Sequence, residues 1–404
     1  MEKKEEKWIK TRHGVLKAIA YVLMYPIARI KYGCRIERFK DQGSRAYLIL
    51  YNHQTPFDQF FTGMVFHGAL YYLATEDIFS NGFVSSLLRW AVAPIPIKKA
   101  TSDIAAVRTC VRVAREGGSI AIAPEGNRTY SGKTEHISSS IASLAKMIKL
   151  PIAFQRIEGG YGVEPRWSDS TRKGRMRTYV SRVLEPEEYA KMGKEELTDL
   201  IRQELYVNEG NSDDGLFRSP RRAEYLERAV YVCPFCGLSE FESSGSEVKC
   251  RTCGRVIEYG EDKRLTGKGF DFPFAYMTEW YDYQCDFVNG LDLNALTEAP
   301  VFTDEAELSE VFVGKKKEVL RPAAVFRLYG DRVTVDEDAP DALILPFEEV
   351  TAAAALGRNK LNLYHGQKVY QVRGSKRFNA LKYVNFYYRS QNIRGNKDGK
   401  FLGL

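Results

Sequence analysis

The chain has 404 residues, long for one domain, and its length points to two or three. With 44% hydrophobic and 27% charged residues it has the composition of a folded globular protein with room for a sizeable core, which excludes an extended disordered chain. Lys and Arg number 59 against 52 Asp and Glu, and the formal charge of +7 suits an anionic partner: a phosphorylated substrate, a nucleic acid or the anionic face of a membrane.

The first residues, Met1 to Lys7, carry mixed charges and no cleavage site, so they do not read as a secretory signal. The apolar run from Val15 to Ile30 contains Lys17 and Arg29 and is interrupted by Pro26. It is short for a membrane span, which needs about 20 apolar residues. With Trp8 before it, and Tyr21 and Tyr25 within it, the run reads as a helix over about residues 8–31 lying in the membrane interface. An ordinary core helix is the alternative.

From there to about residue 210, strand-like runs alternate with helix-like ones. The runs are Tyr47 to Tyr51, Phe57 to Tyr72, Phe83 to Val92, Ile104 to Glu116, Ser119 to Ala123, Ile141 to Lys149 and Ile152 to Phe154. The alternation predicts an α/β domain, a central mixed sheet flanked by helices. His53 leaves the end of the first buried strand, where α/β domains commonly place reactive side chains. Thr55-Pro56-Phe57-Asp58 has the form of a helix start, with Thr55 as cap and Asp58 in the first turn. A neutral imidazole at His53 can take a proton from an alcohol, its ordinary pKa of about 6.5 suiting that task. A carboxylate at Asp58 can hold the other ring nitrogen. The plainer reading is a turn histidine followed by a helix-capping aspartate.

Three further blocks follow. Pro94-Ile95-Pro96-Ile97-Lys98-Lys99 ends a short extended run on two cations. Ala123-Pro124-Glu125-Gly126-Asn127-Arg128-Thr129 follows a strand. There Gly126 permits a tight turn, Arg128 offers a planar fork for a phosphate, and Glu125 can accept from an acceptor hydroxyl or anchor Arg128. Leu150-Pro151-Ile152-Ala153-Phe154 restarts a strand. Beyond them, Arg172, Lys173, Arg175, Arg177 and Arg182 make a basic stretch, either a solvated strand face or a contact for anionic lipid or a CoA phosphate, with nucleic acid as a further alternative for this stretch alone. Cys34 and Cys110 read as core residues rather than nucleophiles.

Residues 211–265 form a second zone. It opens on the break Asn211 to Gly215 and a short basic helix with Arg218, Arg221, Arg222 and Arg228. Cys233-Pro234-Phe235-Cys236-Gly237 and Cys250-Arg251-Thr252-Cys253-Gly254 are two knuckles separated by a hairpin-length stretch. Cys233, Cys236, Cys250 and Cys253 suit a tetrahedral zinc site, a zinc ribbon, and the pattern belongs to a reducing compartment more than to a disulfide framework. Residues 266–404 read as strands at 325–329, 332–335, 342–345, 361–364 and 368–372 with a closing helix at 378–388. This is a mostly β domain similar in its order to a small pleckstrin-homology-like or GRAM-like barrel.

Taken in order, the four blocks of the first zone resemble the glycerolipid and lysophospholipid acyltransferase superfamily, especially the 1-acylglycerol-3-phosphate acyltransferases. The resemblance covers roughly residues 15–185. It implies an acyltransferase domain over residues 1–210, with His53 as general base, Asp58 as its orienting partner, and Glu125, Gly126 and Arg128 as the acceptor-phosphate block. Lys99 stands where the family usually has an arginine. Ala123 and Asn127 stand where the family usually has phenylalanine and threonine. The resemblance further implies an acyl-CoA or acyl-carrier protein donor, a lysophospholipid acceptor, membrane phospholipids as neighbours and attachment to the cytoplasmic face of the membrane. Nucleic acid is not an expected partner. The competing expectation is a membrane lipid-binding or regulatory protein that works through the zinc ribbon and the C-terminal domain without acyl transfer.

Overall fold

A computed structural model describes residues 7–75, 83–97, 103–211, 215–312, 317–395 and 401–403. The chain divides into two compact units, Met1–Pro165 with Thr171–Phe217, and Arg166–Ser170 with Arg218–Leu404.

The first unit is the α/β domain that the alternating runs predict. Its elements are α1 (Thr11–Ile30), β1 (Cys34–Ile36), β2 (Leu48–Tyr51), α2 (Asp58–Val65), β3 (Leu70–Thr75), α3 (Phe83–Val92), β4 (Ile95–Ile97), α4 (Ile104–Arg115), β5 (Ser119–Ile122), α5 (Ser140–Ile148), β6 (Ile152–Glu158), α6 (Gly160–Val163), β7 (Met176–Leu184), α7 (Pro186–Tyr189) and α8 (Lys194–Leu205). The strands form one mixed sheet in the order β1-β7-β6-β2-β5-β3-β4. β6, β2, β5, β3 and β4 are parallel neighbours, and β7 runs antiparallel to β6. β2 and β5 are buried at every position, so they read as continuous apolar runs rather than alternating ones. One side of the sheet packs Leu48, Leu50, Ile120 and Phe154 with α4, α5 and α8. The other packs Tyr47, Ile49, Tyr51 and Ala153 with α1 and α2. The run from Phe57 to Tyr72 splits into a helix and a strand, because Gly68, at φ +75°, turns the chain between them.

α1 is oriented against its own composition. It buries His13, Lys17 and Ala28 while Val15, Ile19, Val22, Leu23, Tyr25 and Ile30 face outward, Val22 at 74% and Ile30 at 85% exposure. The Lys17 ammonium is satisfied by the carbonyls of Phe66 and Gly68, and burial pushes its pKa down to about 7. No helix among the described residues is long and apolar enough to cross a membrane. The basic strand face of β7 is partly neutralised by ion pairs of Arg177 with Glu158 and Arg182 with Glu204, and Arg172 is buried.

The second unit is mostly β. Its strands are β8 (Val232–Cys233), β9 (Gly237–Leu238), β10 (Phe241–Ser244), β11 (Glu247–Cys250), β12 (Val256–Tyr259) and β13 (Leu265–Gly267), followed by α9 (Met277–Asn289). Then come β14 (Phe302–Glu310), β15 (Glu318–Leu328), β16 (Arg332–Val335), β17 (Leu343–Pro346), β18 (Val350–Leu356), β19 (Lys360–His365), β20 (Lys368–Gly374) and α10 (Ala380–Arg394). β10 to β13 form an antiparallel meander. β14 to β20 form a seven-stranded antiparallel sheet in which the first and last strands are neighbours, in the order β17-β16-β15-β14-β20-β19-β18.

The basic helix expected after residue 215 does not form. Residues 220–225 are turns, Tyr225 is left-handed at φ +70°, and only a 3₁₀ turn, Leu226–Arg228, is helical. The cause is tertiary. Arg228 is buried, donating to Asp169 Oδ1 at 2.7 Å and to the carbonyls of Trp167 and Lys376, so its charge serves an internal network rather than a helix surface.

Candidate active site and thiolate cluster

The carboxyl ends of three adjacent parallel strands open on one edge of the sheet, where α/β folds bind ligands. β2 delivers residues 52–58, β5 delivers residues 123–129, and β6 delivers residues 159–164. Asn52 fixes the first of these segments. Its side-chain amide donates to the Ile157 carbonyl and its oxygen accepts from the Ile157 N–H, both at 2.8 Å. These two bonds extend the β2–β6 ladder by one rung beyond Tyr51, and the chain then turns out with His53.

Asp58 is fully buried. It accepts from His53 Nδ1 at 2.8 Å, from the backbone N–H of Gln54 at 2.6 Å and of Thr55 at 3.0 Å, and from Thr55 Oγ1 at 2.6 Å. The two readings of this aspartate therefore meet in one side chain: it closes the loop ahead of α2 and also holds the imidazole. The helix itself begins at Asp58 rather than Pro56. Thr55 Oγ1 accepts from the Phe57 N–H at 3.1 Å, capping the turn that precedes it. A carboxylate can only accept, so the proton of the neutral imidazole sits on Nδ1 and Nε2 is left as the basic nitrogen. The His53 side chain is 24% exposed, enough to meet a ligand.

Glu125 is 4% exposed. Its Oε1 accepts the His53 backbone N–H and its Oε2 the Glu135 backbone N–H, both at 2.8 Å. Burial pushes its pKa up to about 8 against the opposing effect of these two bonds. Gly126 turns the chain at φ +69°, and the space where a Cβ would stand is open. Arg128 is half-buried two residues on, and the Thr129 N–H returns to the His53 carbonyl at 3.4 Å. Lys99, the remaining residue of the expected phosphate set, lies outside the described residues.

Two further residues, unmarked by any motif, reach this edge. The Tyr32 hydroxyl, just past α1, donates to Glu164 Oε2 at 2.5 Å, and both side chains are buried. Burial and the Glu164 and Asp58 charges push the Tyr32 phenol up, while the Arg128 charge pulls it down, so the four groups share one electrostatic environment. Neither residue stands in a recognisable spacing, and only the fold brings them together. Cys34 and Cys110 are buried thiols that burial pushes up to about 12, which keeps them protonated and poor nucleophiles.

In the second unit Cys233, Cys236, Cys250 and Cys253 place their four Sγ atoms within 4.8 Å of one another, with Cys233–Cys253 at 3.8 Å and Cys236–Cys250 at 3.6 Å. Four thiolates about 2.3 Å from a tetrahedral ion stand about 3.8 Å apart, so the donor set fits zinc in chemistry and in spacing. Gly237 and Gly254, each following the second cysteine of its knuckle, are left-handed at φ +75° and +76°, as the tight knuckle turn requires.

A family model described as Acyltransferase matches residues 33–154, the stretch that carries His53, Asp58, Glu125, Gly126 and Arg128. The chain is an acyltransferase. Among curated proteins it is similar to the 1-acyl-sn-glycerol-3-phosphate acyltransferase of Bacillus subtilis (strain 168), at 22% identity over 149 residues, 36% of this chain and 71% of that protein. Among solved structures it is similar to the 1-acyl-sn-glycerophosphate (LPA) acyltransferase PlsC from Thermotoga maritima, at 18% identity and a TM-score of 0.38, covering 48% of this chain and 75% of that one.

Proposed function

We propose that the chain transfers a fatty acyl group from the thioester of acyl-CoA or acyl-carrier protein to the hydroxyl of a lysophospholipid, 1-acylglycerol-3-phosphate foremost, in phospholipid biosynthesis. The observation that carries this reading is the 2.8 Å bond between His53 Nδ1 and Asp58 Oδ2, which leaves Nε2 as base at the open edge of the sheet. His53 Nε2 takes the hydroxyl proton as the oxygen attacks the thioester carbonyl. The tetrahedral intermediate then collapses, the C–S bond breaks, and the departing sulfur receives the proton from the imidazolium. Asp58 keeps the tautomer and stabilises the imidazolium while it exists. Arg128, with Lys99, is assigned to the acceptor phosphate; a lysine there gives a single bond in place of a bidentate one. The test is thiol release from acyl-CoA and acyl-carrier protein offered with a panel of lysophospholipids. Release that depends on a phosphorylated acceptor supports the reading, and no release with any of them contradicts it.

The enzyme is assigned to the membrane surface, on the reducing cytoplasmic side that keeps thiols free. The outward apolar face of α1 supports this, and so do Leu87, Leu88 and Trp90 of α3, which are exposed. Arg12 joins the two helices, its Nε donating to the Trp90 carbonyl at 3.0 Å and its guanidinium lying 5.4 Å from the Trp90 ring. Arginine and tryptophan together suit the headgroup level of a bilayer. The double substitution Val22→Glu, Leu23→Glu is expected to lower binding to anionic phospholipid vesicles by about 10-fold or more. Undiminished flotation with vesicles would remove α1 from the membrane contact.

The second unit is assigned a structural zinc held by Cys233, Cys236, Cys250 and Cys253. Its seven-stranded sheet with closing α10 is read as a pleckstrin-homology-like or GRAM-like domain, on the support of the adjacent first and last strands and the C-terminal helix.

A further inference from the structure

Glu125 sits in the block that the resemblance assigns to the acceptor phosphate, yet its geometry points inward. Its carboxyl is 4% exposed, and each oxygen already accepts a backbone N–H at 2.8 Å. One donor is His53 itself and the other is Glu135, ten residues further along the chain, so this one side chain ties the loops after β2 and β5 to each other. A negative or polar carboxyl is also a poor partner for a phosphate, and at 4% exposure the acceptor sites left on its two oxygens offer little surface to a hydroxyl.

We infer that Glu125 is a positioning residue for His53, acting through the His53 backbone N–H, and that the acceptor is bound without it. The inference rests on the reading of His53 as general base. The His53 ring is oriented from two directions. Asp58 fixes Nδ1, and Glu125, with the Thr129 N–H on the His53 carbonyl, fixes the peptide from which the ring springs. A base displaced by about 1 Å can lose about 10²-fold in rate, so a bond to the backbone of the base can matter as much as a bond to its ring.

Glu125→Gln keeps the size of the side chain but not its chemistry. The amide oxygen can accept one of the two N–H groups, and the amide nitrogen then faces the other, donor against donor. The expected result is a kcat lowered by about 10²-fold with the KM for the lysophospholipid changed by less than about threefold. The imidazole resonances of His53, assigned by comparison with His53→Ala, are expected to shift in the variant. Arg128→Ala, as comparator, raises the acceptor KM. Should Glu125→Gln fail to fold, Glu125→Asp, which keeps two acceptors on a shorter stem, is read by the same split. A raised acceptor KM with kcat and the His53 resonances unchanged would overturn the inference and return Glu125 to substrate binding. Absence of acyl transfer by the wild type would instead contradict the function proposed above, so the two failures are distinguishable.

Discussion

Replacing His53 with alanine is expected to lower kcat for acyl transfer by about 10²–10⁴-fold while the protein stays folded. The separation of activity from stability follows from where the ring lies. Its side chain is 24% exposed, its polar bond is the one to Asp58, and its ring contact is the edge of Tyr51 at 6.3 Å. Removing it takes little from the core, and the backbone bond to Glu125 remains, because alanine at position 53 keeps that N–H. Asp58 behaves differently. It is fully buried and holds the backbone N–H groups of Gln54 and Thr55 as well as the ring. Asp58→Ala strands those donors, at about 1–3 kcal/mol each, so this variant is expected to lose stability as well as activity. The pair thus distinguishes chemistry from scaffold: circular dichroism and thermal melting unchanged for His53→Ala, and a lowered melting temperature for Asp58→Ala.

Removing the proposed zinc is expected to unfold the ribbon of the second unit. The meander from β10 to β13 is small, with Phe241, Val248, Ile257, Tyr259 and Leu265 as its buried apolar residues beside the Cys250 ligand position. Four strands of this size lack the core to stand alone, and zinc held by four thiolates supplies apparent folding free energy of roughly 10–16 kcal/mol in comparable small sites. Trp280 reports on the change, because its indole N–H donates to the Val232 carbonyl at 2.8 Å, next to Cys233, and its ring packs on Phe241. Cys250→Ser, or a strong chelator, is expected to remove about one zinc per chain, shift tryptophan emission to the red, and expose residues 232–267 to protease. Metal-free protein with unchanged emission and melting would mean that the cysteines are not a folding metal site.

Much of the first unit can be read in the chain because β2 and β5 are short apolar runs, and Gly126 turns the chain after β5 as Gly159 does after β6. His53 and Asp58 were legible as a spacing, and the spacing becomes a contact because Asn52 anchors the loop and Thr55 closes it. Glu125 illustrates the limit of a motif. Its neighbours Gly126 and Arg128 mark the block, but the direction of its carboxyl depends on Glu135, which no local pattern links to it. Tyr32 and Glu164 are farther still from legibility, being 132 residues apart and joined only by the fold. In the second unit the knuckles were plain from their cysteines and glycines. The strand β18 was not, since its run Ala352-Ala353-Ala354-Ala355 favours helix by propensity. Pairing with β19 makes it a strand, and the packing of α10 makes the small side chains useful there, where Tyr387 reaches the Val350 carbonyl at 2.9 Å. The turns before Arg228 have a similar cause: the buried Arg228 guanidinium pairs with Asp169, distant in sequence, and this overrides a helical pattern.

The most direct test of the central claim is to measure thiol release and diacyl product together, with labelled acyl-CoA or acyl-carrier protein and 1-acylglycerol-3-phosphate, for the wild type and for folded His53→Ala. Equal amounts of thiol and diacyl product are expected from the wild type, with both lowered together by about 10²–10⁴-fold in the variant. Undiminished product from folded His53→Ala, or thiol released by the wild type without acylated product, would contradict that claim.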